Sequence, residues 1–216
     1  MCIRDRFKKD KINKLVLTGG EPTLHPNFIE IAEYAMKNIS KVTICTNGVI
    51  KNKKLRKKVI DLNFATYTIS IDSHINKVHN KFRGNKDAFQ NVIGFVDELK
   101  KKKKNLSIHI TLHDSNIDHI GETIDFCKKY DCEIVVGSIY YDKLNYSKQR
   151  EKEYKNEIDK FKEKYKYNKD IIIVGFDKYC KYRNCPDQNK IFMVDRRGHL
   201  VNCYWKKDGG KLIRKY

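Results

Sequence analysis

The stretch Thr18-Gly19-Gly20-Glu21-Pro22, placed directly after the apolar run Leu15-Val16-Leu17, narrows the choice of folds more than any other in this chain. Lys14 to Thr18 reads as a buried strand. A pair of glycines at its end removes every side chain there, so a ligand can come up against bare backbone. Pro22 fixes φ at the exit and withholds a donor. Glu21 leaves one negative charge in an open notch. Such a notch suits an amino group, whose three N–H donors are met by carbonyls and a carboxylate.

Strand and helix then alternate. Pro26 to Asn38 predicts a helix, with Ile29, Ala32, Ala35 and Met36 at helical spacing. Val42 to Thr46 predicts a strand that ends in the turn Asn47-Gly48. Helices over Asn52 to Leu62, Asp87 to Leu99 and Ile117 to Tyr130 alternate with strands over Tyr67 to Asp72, Leu106 to Leu112 and Glu133 to Ile139. This order implies a parallel sheet with right-handed crossovers.

The strands themselves alternate. Thr68, Ser70 and Asp72 oppose Ile69 and Ile71, and Ser107, His109, Thr111 and His113 oppose Ile108, Ile110 and Leu112. Parallel strands covered on both faces should be apolar on both. A polar inner face suits an open barrel with a polar ligand in its lumen. The expected fold is α/β, a partial (β/α)6 TIM-type barrel with its ligand across the C-terminal strand ends.

Gly19-Gly20-Glu21-Pro22, Thr46-Asn47-Gly48, Ser70-Ile71-Asp72 and Arg83-Gly84, in this order, resemble the core of the radical S-adenosylmethionine (radical SAM) enzymes over residues 14–140. The resemblance implies that Gly19, Gly20, Glu21 and Pro22 hold the methionine amine, with Thr46 and Asn47 at the cofactor mouth. It implies that Ser70 and Arg83 grip the methionine carboxylate, a task that fits the guanidinium fork. Asp72 is expected to accept from a ribose hydroxyl, and the backbone of the Glu133 to Ile139 strand to meet adenine. The implied activity is that of an enzyme that cleaves S-adenosylmethionine through a 4Fe–4S cluster. The resulting 5′-deoxyadenosyl radical would take a hydrogen atom from a substrate. An electron donor such as flavodoxin or ferredoxin belongs to that picture. A peptide or protein is the expected substrate, as for maturase-like members. A nucleotide, as in the cyclase that begins molybdopterin synthesis, an RNA or another small molecule stand as alternatives, as does a non-catalytic binding module.

Members of the family hold the cluster with a Cys-x3-Cys-x2-Cys loop upstream of the Gly-Gly-Glu-Pro strand. Only Cys2 precedes Gly19 here, and the chain carries no such triplet. The opening Met1-Cys2-Ile3-Arg4-Asp5-Arg6 resembles a translated sequencing adapter. Residues 1–6 are therefore expected to be foreign, with the core spanning 7–144, its first β-α unit missing and the catalytic-cluster ligands absent.

Asn145 to Tyr167 reads as a charged helix with weak apolar spacing at Tyr154, Ile158, Phe161 and Tyr165, a linker expected over 145–170. Residues 171–216 are expected to form a small extension. It would hold a strand from Ile171 to Val174, then a hairpin of Ile191 to Val194 and Leu200 to Tyr204 around Arg196-Arg197-Gly198. The spacing Cys185-x12-Gly198-x4-Cys203 is similar to the opening of SPASM and Twitch extensions. That resemblance implies an auxiliary 4Fe–4S cluster on Cys180, Cys185 and Cys203. Zinc on the same thiolates, a disulfide or three core cysteines are the alternatives. Cys45, Cys127 and Cys132 read as packing residues, and His74 and His79 as loop residues. His109 and His113 share the lumen face and are candidates for contact with substrate or cofactor.

The net charge of +19 could attract RNA, DNA or an anionic substrate. Lysine is spread throughout and no nucleic-acid motif accompanies it, so a solvated surface is expected rather than nucleic-acid binding. No run approaches the roughly 18 apolar residues of a membrane span. Seven cysteines at irregular spacing without a secretion signal point to a reducing, cytoplasmic setting.

Overall fold

In the computed structural model, residues 12–138, 148–167, 169, 171–174, 192–194, 200–202 and 212–214 are described. Six strands form one parallel sheet: β1 (Lys14–Leu17), β2 (Lys41–Thr46), β3 (Thr66–Ser70), β4 (Leu106–Leu112), β5 (Glu133–Ser138) and β6 (Ile171–Val174). Their spatial order is their chain order. With right-handed crossovers, a sequential order sends every helix to the same face and leaves the other face as a lumen. Between the strands run α1 (Phe28–Asn38), α2 (Lys53–Asp61), α3 (Asn76–Arg83), α4 (Ala88–Lys101), α5 (Ile120–Lys128) and α6 (Lys148–Tyr165). The sheet is thus a parallel α/β sheet of partial-barrel type, and among the described residues β1 pairs only with β2 and β6 only with β5.

The register sorts the side chains by chemistry. One transverse row reads Thr46, Ile69, Ile108, Ile134 and Ile171, and another reads Leu17, Ile44, Tyr67 and Leu106. Apart from Thr46, these residues pack with Val92, Phe95, Val96 and Leu99 of α4 in one core on the helix side. The alternate rows read Cys45, Thr68, Ser107 and Glu133, then Ser70, His109, Val135 and Ile172. They form the lumen face. It is polar in the middle and apolar at its two edges, where Val16 is 51% exposed and Ile172 42%.

Several elements differ from the expected layout. The helix expected from Asn145 is no linker. Tyr154, Ile158 and Phe161 of α6 are buried in the core, and the Tyr154 hydroxyl donates to the Leu112 carbonyl at 2.8 Å. Apolar residues spaced by four and three positions supply the inward stripe, and the lysines between them lie on the outer side. The strand Ile171–Val174 does not open an extension, because it pairs in parallel with β5 as the sixth strand. The helix expected from Ile117 opens as a 3-10 turn over Ile117–His119 before α5. Helix α1 starts two residues later than expected.

Beyond the sheet, β7 (Phe192–Val194), β8 (Leu200–Asn202) and β9 (Leu212–Arg214) form a three-stranded antiparallel sheet. Cys180, Cys185, Cys203 and the hairpin turn expected at Arg196-Arg197-Gly198 lie outside the described residues. Among the described residues no helix is long and apolar enough to cross a membrane.

Candidate functional site

The turn after β1 leaves its two glycines bare. A Cβ built on Gly19 or Gly20 would meet nothing within 4 Å, and Gly19 has φ +151°, a region that L side chains rarely adopt. Packing therefore does not explain these glycines. They leave an open stretch of backbone on which a ligand can rest.

Glu21 holds that stretch in place. It caps the 3-10 turn Pro22–Leu24 by accepting from the Thr23 amide at 3.2 Å. Its Oε1 also accepts from the hydroxyls of Thr23 and Thr46, each at 2.7 Å. Its Oε2 accepts from the Asn47 amide at 2.8 Å. The carboxylate thus pins the turn after β1 to the turn after β2. Oε1 thus has three donors and Oε2 one, so the carboxylate expected to help accept an amine is already engaged by the chain itself.

The Thr46-Asn47-Gly48 turn is built to close tolerance. The Thr46 hydroxyl accepts from the Gly48 amide at 3.1 Å, and Asn47 Oδ1 accepts from the Val49 amide at 2.8 Å. Gly48 has φ +72°, and a Cβ there would lie 2.8 Å from Val92 Cγ2. This glycine is required by close approach to α4, in contrast to Gly19 and Gly20.

Past the end of β3, Asp72 is 0% exposed. Its Oδ2 accepts from Arg83 Nε at 2.6 Å, and its Oδ1 accepts from Arg83 Nη2 at 2.9 Å and from the Thr111 amide at 3.0 Å. This placement does not match the ribose contact expected of Asp72, because the carboxylate is fully covered and both oxygens are engaged. Arg83 is the last residue of α3, and its side chain is 24% exposed. Asp72 occupies one edge of the guanidinium. The other edge makes no hydrogen bond among the described residues. Ser70 lies on the lumen face beside His109 in register, and neither makes a side-chain hydrogen bond among the described residues.

The histidines separate by environment. His79 is buried on α3 rather than in a loop, and its Nδ1 accepts from the Asp72 amide at 3.2 Å. Burial pulls its pKa down to about 4, although Asp72 Oδ2 lies 3.6 Å away. Burial prevails because that carboxylate is already paired with Arg83. His113 lies past the end of β4, its ring stacked on Phe82 with centroids 3.9 Å apart. Its Nδ1 accepts from the Ser115 amide at 3.2 Å. His109 lies on the lumen face of β4, half-buried. Burial lowers the pKa of both His109 and His113 below the usual imidazole value.

Four partners escaped the sequence reading: Thr23, the Thr111 amide, His79 and Asn116. Asn116 Nδ2 donates to the carbonyls of Asp72 at 2.6 Å and Thr111 at 2.9 Å. Its Oδ1 accepts from the His113 amide at 2.8 Å. Asn116 stands at a helix start, where an asparagine ordinarily caps. Here it clamps the ends of β3 and β4 together instead. Among the cysteines, Cys127 is buried, and burial pushes its thiol up to about 12, as fits a packing residue. Cys45 is half-buried, its pKa also raised by burial.

Comparison with known proteins fits this geometry. A heme synthase of Methanosarcina barkeri, described as AdoMet-dependent, is 29% identical over 115 residues, or 53% of this chain and 33% of that protein. The antilisterial bacteriocin subtilosin biosynthesis protein AlbA of Bacillus subtilis is 40% identical over 79 residues, or 34% of this chain and 16% of that protein. The chain spans at most a third of these relatives. Streptococcus suis SuiB bound to S-adenosylmethionine superposes with a TM-score of 0.69 at 18% identity, over 93% of this chain and 51% of that one. SuiB bound to its precursor peptide SuiA gives the same score at 17% identity, over 94% and 51%. The model of the Radical SAM superfamily matches residues 3–127, more than half of the chain, and the chain belongs to that superfamily of enzymes.

Proposed function

We propose that residues 14–138 form the S-adenosylmethionine-binding part of an enzyme that acts on a peptide. The observation that carries this reading is the pair of bare glycines at the end of β1, anchored from below by Glu21. The residues present fit the methionine end of the cofactor. Open carbonyls beside Glu21 suit its amine. The free edge of the Arg83 guanidinium suits its carboxylate, with Ser70 as a second donor. Asp72 would position Arg83 rather than touch ribose. The chemistry that S-adenosylmethionine would supply there, on one-electron reduction, is a 5′-deoxyadenosyl radical for hydrogen abstraction. The chain carries no Cys-x3-Cys-x2-Cys, so its own residues do not supply that loop for the catalytic 4Fe–4S cluster.

The chain's own contribution is orientation and a hydrogen-bonding lumen, in which Glu133 is engaged by the Ser107 hydroxyl. Ser70, His109 and Thr111 present uncharged polar groups along it. His109, its pKa lowered by burial, stays neutral near pH 7 and can accept a proton or a hydrogen bond from a substrate. A peptide substrate is supported by the likeness to AlbA and SuiB. Cys180, Cys185 and Cys203 remain our proposed ligands for an auxiliary 4Fe–4S cluster, supported by their spacing with Gly198.

Saturation-transfer NMR of S-adenosylmethionine with the chain tests the binding reading, because it registers weak complexes. Transfer to the cofactor methyl should be seen with the wild type and fall at least several-fold in Arg83→Ala and Gly20→Val. Equal transfer in all three would overturn it.

A further inference from the structure

Between α2 and α4, on the helix side of the sheet and away from the lumen, lies a groove of about 530 Å³. Ile50 and Ile60 are buried at its floor. Lys51, Lys53, Lys57, Lys101 and Lys102 stand exposed around it. None of these five lysines makes an ion pair among the described residues. The groove also holds Arg56 and Glu98, but these satisfy each other: Arg56 Nη2 donates to Glu98 Oε1 at 2.7 Å and Nε to Oε2 at 3.2 Å. Asp61 is the one remaining carboxylate of the lining. A fixed ion pair thus braces the two helices, and five free ammonium groups face solvent around one concavity.

We propose that this groove docks an acidic segment of a peptide partner. Five ammonium groups against one carboxylate call for an anionic occupant. The choice of peptide over nucleic acid rests on the rest of the lining. It offers no aromatic face on which a base could stack, and single-stranded nucleic acid binding leans on such faces. It does offer Asn91, and Asp61 can accept from backbone N–H groups, as an extended peptide requires.

The position gives the docking a purpose. Lys51 follows Asn47 by four residues, so the near end of the groove is at most about 14 Å along the chain from the turn that Glu21 anchors. A peptide held there by acidic residues would keep its continuing chain close to the lumen and raise its effective concentration. This last step rests on the proposed function. The docking itself uses none of the residues assigned to the cofactor.

Fluorescence anisotropy with a labelled hexaglutamate peptide tests the docking in the full 216-residue chain. The groove variant is Lys53→Glu, Lys57→Glu and Lys101→Glu combined. The control is Lys152→Glu, Lys155→Glu and Lys160→Glu on the exposed side of α6, which changes the net charge equally. The groove variant should weaken binding by about ten-fold or more, and the control by less than about two-fold. A milder variant with glutamine at the three groove positions should fall between and guards against loss of fold, checked by circular dichroism. Equal weakening in groove and control variants would overturn the proposal, since it would mean only a basic surface. Tighter binding of a hexamer of single-stranded RNA than of the peptide would also overturn it, in favour of nucleic acid, as would no binding at all. Saturation transfer to S-adenosylmethionine should be the same in the groove variant as in the wild type. Docking and cofactor binding can therefore fail separately.

Discussion

Asp72 and Arg83 meet edge to edge, with Nε on Oδ2 at 2.6 Å and Nη2 on Oδ1 at 2.9 Å, and the carboxylate is closed off from solvent while the guanidinium is not. A paired charge at a barrel mouth that is buried on one side only has a direction. Asp72 fixes the plane of Arg83, and the second edge of the fork makes no hydrogen bond among the described residues.

Asp72→Asn should therefore harm both fold and binding. Removing one partner of a buried pair leaves the other uncompensated, here softened because Arg83 can reach water. A loss of about 2–4 kcal/mol in urea unfolding is expected. Saturation transfer to S-adenosylmethionine should fall even under conditions where the variant is fully folded. Retained transfer in a folded Asp72→Asn would mean that Asp72 is structural only.

Glycine substitutions should split by position. Gly48→Ala places a Cβ 2.8 Å from Val92 at φ +72° and should cost about 1–3 kcal/mol by thermal or urea unfolding. Gly20→Val adds bulk into open space and should leave unfolding nearly unchanged while it removes cofactor binding. If both variants behaved alike, the division into a packing glycine and a ligand glycine would fail.

Glu21→Gln should loosen the link between the turns after β1 and β2. A glutamine has one acceptor oxygen, whereas Glu21 accepts from four donors on two oxygens. A cost of about 1–3 kcal/mol is expected, with faster exchange of the Asn47 amide proton. Unchanged exchange at Asn47 would contradict the bridging role.

Buried neutral histidine makes stability depend on pH. The His79 pKa is lowered from 6.5 to about 4 by burial. Below 6.5 the unfolded chain binds a proton that the folded chain refuses, so the stabilisation is full above the unfolded pKa and fades as pH falls toward 4. The contribution over that window is about 3 kcal/mol, at 1.36 kcal/mol per unit. Burial shifts His109 and His113 in the same direction. His79→Gln should reduce the slope of unfolding free energy against pH between 6.5 and 4 by about one proton. An unchanged slope would place His79 in water.

Much of the sheet was legible because strand periodicity is local. Leu106–Leu112 was readable to the residue, and the alternation of Ser107, His109 and Thr111 against Ile108 and Ile110 already separated lumen from core. The packing of helix α6 is hard to read because a stripe of four apolar residues is diluted by lysine and glutamate; the burial of Tyr154, Ile158 and Phe161 and the Tyr154 bond to Leu112 reveal it. The ion pair of Asp72 with Arg83 joins residues 11 apart across a strand end and a helix end. Their pairing depends on how α3 folds back, which no local pattern encodes. The same holds for Gly48 against Val92.

The central claim is that the free edge of Arg83 receives the carboxylate of S-adenosylmethionine. The most direct measurement is an arginine Nε–Hε NMR correlation spectrum of the labelled chain, assigned with Arg83→Lys and titrated with the cofactor. The Arg83 signal should be visible and slow to exchange because it is held on Asp72, and it should shift saturably with S-adenosylmethionine but not with its carboxyl methyl ester. A signal that stays still while other resonances near Gly19 and Gly20 shift, or that moves equally with the ester, would contradict the account.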